Sequence, residues 1–186
     1  FILPFMEMNG DTFPDWDFRV PGVTSISADL HKYGYTAKGA STILYRNLDL
    51  LKAQMFVYQD WPGGVFASPA LLGTRPGGAY AAAWAVLRAL AAQTTQAVNI
   101  LKAGITDIDG LHILGQPQGP LLAYGSSDSE VSIFAVADQL EKKGWGINRV
   151  QKPDGIHAMV TAQHLNVADQ YIADLAEAVA IVRAKP

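Results

Sequence analysis

From Leu121 onward the apolar residues change their spacing several times, and that succession restricts the chain to an α/β architecture. Leu121-Leu122-Ala123-Tyr124 reads as a short strand, and Ser126-Ser127-Asp128-Ser129 reads as a helix cap. Glu130 to Lys143 then places Val131, Phe134, Ala137 and Leu140 on one face of a helix that Gly144 closes. Two strands follow, Gly146 to Gln151 and Ile156 to Thr161, separated by the turn Lys152-Pro153-Asp154-Gly155. The second alternates Ile156, Ala158 and Val160 against His157, Met159 and Thr161. A last amphipathic helix carries Val167, Tyr171, Leu175, Val179 and Val182. This β-α-β-β-α order predicts a small α/β domain over residues 111–186, following part of a larger domain over residues 1–110.

The upstream region has shorter signals. Val23, Ser25 and Ser27 alternate with Thr24, Ile26 and Ala28, Thr42 to Tyr45 and Met55 to Val57 read as strands, and Asn47 to Ala53 as a short helix. Between Gln59 and Gly78, DWPGGVFASPALLGTRPGG is dense enough in glycine and proline to predict a long ordered loop, a kind of segment that usually carries function. An Ala-rich helix is expected from about Ala79 through Ala92, ending or breaking before Gln93 to Gly110. FILPFM at the start is too short for a membrane span or a signal peptide and reads as a buried piece of core. A chain that begins in mid-core without Met reads as a fragment.

Composition removes several functions. The 186 residues are 49% hydrophobic with a net charge of −3, and the basic residues form no stripe or cluster, so nucleic acid is not an expected partner. The absence of cysteine excludes disulfides, thiolate nucleophiles and Cys-ligated metals. Nothing points to secretion, and a cytoplasmic location is expected, any membrane attachment being left to segments outside these residues. His112, His157 and His164 lack metal-ligand spacing, so no metal site is expected, and His157 reads as a core or edge histidine. Gly144-Trp145-Gly146 follows a helix and lacks a third glycine, which sets aside a dinucleotide fingerprint, and no G-x-S-x-G elbow appears.

One stretch stands out chemically. Ala28 to Thr42, ADLHKYGYTAKGAST, holds Lys32 and Lys38 six residues apart where Gly34 and Gly39 interrupt any helix. Taken alone, these are lysines of an edge strand or loop that discourage aggregation, and His31 is a partly buried structural histidine. The surrounding motifs change that reading. VTSISADLHKYGYTAKGASTILY, DWPGGVFASP, GTRPGG and GWGINRVQKPDGIHAMVT together resemble the sphingosine-1-phosphate lyases of the pyridoxal-phosphate (PLP) dependent group II decarboxylase family, over nearly the whole chain.

The resemblance implies a fold-type I PLP-dependent transferase fold, of which this chain holds the C-terminal part of the large domain and the small domain. It implies that Lys32 is the catalytic lysine that carries PLP covalently as an imine, the cofactor being the electron sink for cleavage next to an amine. Desolvation or a second cation would favour the free amine, and Lys38 is the candidate by sequence. His31 inherits packing against the cofactor and its phosphate. Lys38 resembles a second lysine facing the phosphate region, serving cofactor, substrate phosphate or both. Gly73 and Thr74 inherit contact with the cofactor phosphate of the neighbouring subunit of a homodimer, where loop N–H groups suit an anion. Arg75 reads as a brace of that loop, and Ser68 either as a brace or as a contact.

By the same resemblance the reaction is retro-aldol cleavage of a phosphorylated sphingoid base into a long-chain aldehyde and phosphoethanolamine, by a base these residues do not identify. The alternatives are an amino-acid decarboxylase of the same family and an inactive scaffold that only stabilises a dimer. The aspartate that pairs with the pyridine nitrogen and the histidine that stacks on the ring lie, in the family, before the stretch matching FILPF. The site is therefore expected to need the N-terminal remainder of the same enzyme. The stretch between the RPGG helix and Asp109-Gly110 is also shorter than the family's by roughly two helical turns, which points to a seam near Leu90 to Gln93.

Overall fold

The computed structural model describes residues 2–71 and 73–184. The chain divides into two compact units, residues 1–88 and 89–186.

In the first unit, helix α1 (Leu3–Met8) has a proline in its first turn, where the missing N–H costs nothing, and buries Met6 beside the adjoining Ile2. Strands β1 (Ser25–Asp29) and β2 (Ser41–Tyr45) pair antiparallel, with Ser27 opposite Ile43 and Asp29 opposite Ser41. Helix α2 (Leu48–Lys52) starts on Asn47, whose side chain accepts from the Leu50 N–H, as its sequence predicts.

The stretch from Gln59 is not the continuous loop its composition predicts. Strands β3 (Phe56–Trp61) and β4 (Gly64–Ser68) form an antiparallel hairpin, pairing Trp61 with Gly64 across a two-residue Pro62-Gly63 turn. The same residues that break a helix or a long strand are the ones a tight hairpin needs, and Gly64 holds a φ of +105°. Leu72, in the irregular part that follows, lies outside the described residues.

Helix α3 (Gly77–Thr106) is also longer than predicted and passes unbroken through Leu90 to Gln93. The polar run Gln93-Thr94-Thr95 does not end it, because the fully buried Thr94 donates its hydroxyl to the Leu90 carbonyl one turn back. Ala83 and Leu87 of α3 form a small core with Leu30 and Ala40. Those two residues stand at the ends of the β1–β2 connection, so α3 anchors both ends of the segment that carries His31, Lys32 and Lys38.

The second unit has the larger core. Strands β5 (Leu111–Ile113), β6 (Leu121–Ser126), β7 (Asn148–Val150) and β8 (Gly155–Met159) form an antiparallel sheet in the order β5-β6-β8-β7. β5 is too short to show a period, so the sequence did not reveal it. Helix α4 (Ile133–Lys142) is capped by Ser132 rather than by the serines at 126–129. Ser126 and Asp128 instead form a turn, the Asp128 N–H donating to Ser126 Oγ. Helix α5 (Ala168–Arg183), preceded by a 3₁₀ turn over Ala162–Asn166, packs with α4 and with Ala97, Val98, Leu101 and Ile105 of α3 around Leu122, Tyr124 and Ile156. Gly104 allows α3 its close approach to α5, since a Cβ there would stand 2.2 Å from Ile172. The Tyr124 and Tyr171 hydroxyls are hydrogen-bonded to each other, and burial pushes both phenols up in pKa.

Candidate functional site

The β1–β2 connection is built to present Lys32. The chain turns at the end of β1, the Lys32 N–H donating to the Asp29 carbonyl at 3.2 Å, and the Thr36 N–H returns to the Leu30 carbonyl at 3.3 Å. Gly34 permits this path, because a Cβ there would lie 2.3 Å from the Leu30 carbonyl oxygen. The next residue, Tyr35, holds a left-handed φ of 55°, and its hydroxyl is buried without a hydrogen-bond partner. Burial, with a smaller contribution from Tyr35, pushes the Tyr33 phenol up to about 12. Two neighbouring phenols, one with an unsatisfied hydroxyl, are therefore held beside the lysine in sequence.

The Lys32 side chain is 69% exposed, and its Nζ donates to Asp29 Oδ2 at 2.8 Å. Sequence reasoning gave Asp29 no role. It lies three residues before the lysine, and the turn brings the two side chains to the same side. Its other oxygen accepts from Ser41 Oγ at 2.6 Å across the ladder. The Lys32 hydrogen bond first, then that of Ser41, lowers the Asp29 carboxyl to about 2. The charged partner of Lys32 in this chain is thus a carboxylate rather than the second cation anticipated in Lys38.

His31 is fixed by the far end of the same connection. Its N–H and its Nδ1 both donate to the Ala40 carbonyl, at 3.2 and 2.8 Å. A carbonyl only accepts, so Nδ1 carries a hydrogen, and Nε2 points to the Asp29 side, 3.8 Å from Oδ2.

Lys38 belongs to a second feature, a cleft of about 160 Å³ lined by Lys38, Gly39, Ala40, Arg75, Pro76 and Tyr80. The cleft adjoins the start of α3. No acidic residue occupies that first turn, and a Cβ on Gly77 or Gly78 would meet nothing within 4 Å. Two cations and the open N-terminus of a long helix make an environment for a phosphate-sized anion. The Lys32 amine on this connection, and the cleft that the connection forms with Arg75 and the start of α3, are the donor groups that a phosphorylated aldehyde cofactor needs.

Gly73 and Thr74 are exposed and do not line this cleft; the Gly73 carbonyl accepts from Arg75 Nη1 at 3.2 Å, the bracing contact anticipated for that arginine. Ser68 is buried and donates its hydroxyl to the Ala70 carbonyl at 2.5 Å, so within this chain it is a brace. In the second unit, His164 Nδ1 accepts from the Thr161 N–H in a capping box, while His157 lines an apolar cleft with Trp145, Met159 and Tyr171. Among the described residues no helix is long and apolar enough to cross a membrane.

The fold is that of the fold-type I PLP-dependent enzymes. Superposition on a Lactobacillus brevis glutamate decarboxylase gives a TM-score of 0.74 at 22% identity, covering all of this chain and 45% of that one, a likeness of fold alone. The sequence is more specific. The chain is 41% identical to the Arabidopsis thaliana sphingosine-1-phosphate lyase over 194 aligned residues, covering 100% of this chain and 35% of that protein. It is 40% identical to the Rattus norvegicus sphingosine-1-phosphate lyase 1, again along its whole length and over 34% of the relative. The solved structure of a Burkholderia pseudomallei sphingosine-1-phosphate lyase matches with a TM-score of 0.82 at 38% identity, covering 98% of this chain and 43% of the other. No protein-family model matches. The resemblance read from the motifs to the sphingosine-1-phosphate lyases therefore holds from end to end, and the chain spans about a third of the length of the curated relatives it matches.

Proposed function

We propose that the full-length protein is a PLP-dependent carbon–carbon lyase that cleaves a phosphorylated sphingoid base, of the sphingosine 1-phosphate type, into a long-chain aldehyde and phosphoethanolamine. The observation that carries this reading is the identity of about 40% to sphingosine-1-phosphate lyases along the whole chain, including the segment that presents Lys32. The activity is assigned to the full-length protein because the relatives are about three times as long as the chain.

Lys32 is the residue proposed to hold the cofactor covalently. When bound, PLP supplies a sink for the electron pair released as the carbon–carbon bond next to the substrate amine breaks. His31, its ring fixed through Nδ1, packs against the cofactor. Lys38, with Arg75 and the start of α3, holds a phosphate group by charge and by backbone N–H groups. Gly73 and Thr74 are assigned to the cofactor phosphate of the partner in a homodimer, their exposed backbone being accessible to a second subunit. Residues 1–110 and 111–186 are read as the end of the large domain and the small domain, in a cytoplasmic enzyme. Decarboxylation has only a fold-level neighbour in its favour.

The test is an assay of the full-length protein with PLP, measuring aldehyde from sphingosine 1-phosphate and carbon dioxide from glutamate. Aldehyde that depends on Lys32 is expected. Carbon dioxide without aldehyde would favour the decarboxylase, and neither product would favour a scaffold.

A further inference from the structure

We propose that Asp29 is a positioning residue that receives the Lys32 ammonium whenever the lysine is not bonded to the cofactor. The inference rests on the reading of Lys32 as the attachment lysine and adds a partner for that lysine in the other half of its working cycle.

The geometry is that of a prepared receiver. Asp29 closes β1, and the backbone turn from the Lys32 N–H to the Asp29 carbonyl fixes the two residues three apart with their side chains in contact. Oδ2 accepts from Lys32 Nζ at 2.8 Å, while Oδ1 is held at 2.6 Å by Ser41 Oγ, directly opposite on β2. The side chains differ in freedom, 69% exposed for Lys32 against 27% for Asp29. The carboxylate is thus the fixed member and the lysine the mobile one, on a stem able to swing away from it. His31 Nε2, 3.8 Å from Oδ2, completes the polar surround. The carboxylate faces three groups, of which the ammonium is carried on the longest and most exposed side chain, while the His31 ring is also held by the Ala40 carbonyl.

If the cofactor is held on Lys32 as an imine, a substrate amine taking the lysine's place would form its own C=N linkage to the same carbon, and the linkage from that carbon to Lys32 Nζ would break. Both electron pairs of that linkage would stay on Nζ. The protons that the incoming ammonium loses in becoming an imine nitrogen would go to Nζ, so the lysine would leave as an ammonium and charge would be conserved. Left without a partner, the lysine would lose a proton more readily and, as the free amine, compete to return. Paired with Asp29 at 2.8 Å it would be kept as the ammonium and held aside, which favours the released state over the attached one.

The test uses the full-length holoenzyme and phosphoethanolamine, an amine that displaces the lysine without being cleaved, followed by the change in visible absorbance. Asp29→Asn keeps the size and the Ser41 contact and removes the charge. It should weaken apparent phosphoethanolamine binding by roughly two- to fivefold, the range of a half-exposed ion pair. Binding of inorganic phosphate, which displaces nothing, should stay the same. Ser41→Ala, which only loosens Asp29, should move phosphoethanolamine binding in the same direction by less. Unchanged phosphoethanolamine binding in Asp29→Asn would overturn the proposal, as would an equal loss for both ligands, which marks a general distortion of the site. Borohydride reduction of the wild-type protein separates the two readings: a pyridoxyl group on Lys32 keeps the functional reading intact whatever Asp29 does, and one found elsewhere removes the basis of both.

Discussion

Replacing Gly34 by alanine should loosen the segment that presents Lys32 while leaving the rest of the molecule unchanged. The added Cβ would stand 2.3 Å from the Leu30 carbonyl oxygen, 2.8 Å from Leu30 Cα and 2.9 Å from its carbonyl carbon, all inside the 3.0 Å limit of real Cβ contacts. The obstructing atoms are backbone, so no side chain can rotate to relieve them. Leu30 itself is 2% exposed in the core it shares with Ala40, Ala83 and Leu87, and its carbonyl accepts from Thr36, so moving it disturbs both packing and a hydrogen bond. Overpacking of this kind costs about 1–3 kcal/mol. Expressed as local opening, that is roughly 5- to 150-fold faster amide exchange over residues 30–38. Mass spectrometry of hydrogen exchange measures it, with a peptide from α4 as the internal reference. Gly146→Ala is the control, since its Cβ meets nothing within 4 Å. Exchange over residues 30–38 that changes by less than about twofold in Gly34→Ala would refute the steric account.

The two lysines should separate by function. Lys32→Ala should abolish visible cofactor absorbance and borohydride-fixed cofactor, whereas Lys38→Ala should retain both and weaken phosphate binding by roughly tenfold, the scale of one charged hydrogen bond, as read by titration. Asp29, held down to about 2 by Lys32 and Ser41, should keep its ion pair far into acid. A carboxyl lowered in the folded state adds stability above its ordinary value of 3.8, and that stability is lost as pH falls through about 2. A carboxyl carbon titration of the cofactor-free protein should find a midpoint well below 3.8, and an ordinary midpoint would contradict the pairing. In the second unit, Gly104→Ala should lower the thermal midpoint, because Ile172 must leave a contact at 2.2 Å, at a cost of about 1–3 kcal/mol. An unchanged midpoint would show that Ile172 repacks freely.

What the sequence revealed and what it hid divide along physical lines. Apolar spacing and turn signals located β1, β2, β6, β7, β8, α2, α4 and α5, and the period is clearest in α4 and α5, each of which buries one face in the core. It failed where one residue type serves two purposes. Pro62-Gly63 read as an interruption and is the turn of a hairpin, while the stretch from Gln93 read as the end or a break of a helix, yet Thr94 within it satisfies its hydroxyl on the turn before it. The site divides in the same way. Lys32 and Lys38 were legible because their neighbouring motifs are distinctive, but the groups that face them were not. Asp29 meets Ser41 only once the β1–β2 register is fixed, and meets Lys32 only once the chain turns after β1. Arg75 joins Lys38 because α3 buries Leu30 and Ala40 at the two ends of the intervening segment. The alternation of residues 23–28 against Thr42 to Tyr45 held the signal that would have found Asp29. Aligning those two strands as an antiparallel pair puts a serine opposite an aspartate at their end, and an aspartate three residues before a lysine across a turn is a contact that local backbone geometry makes available.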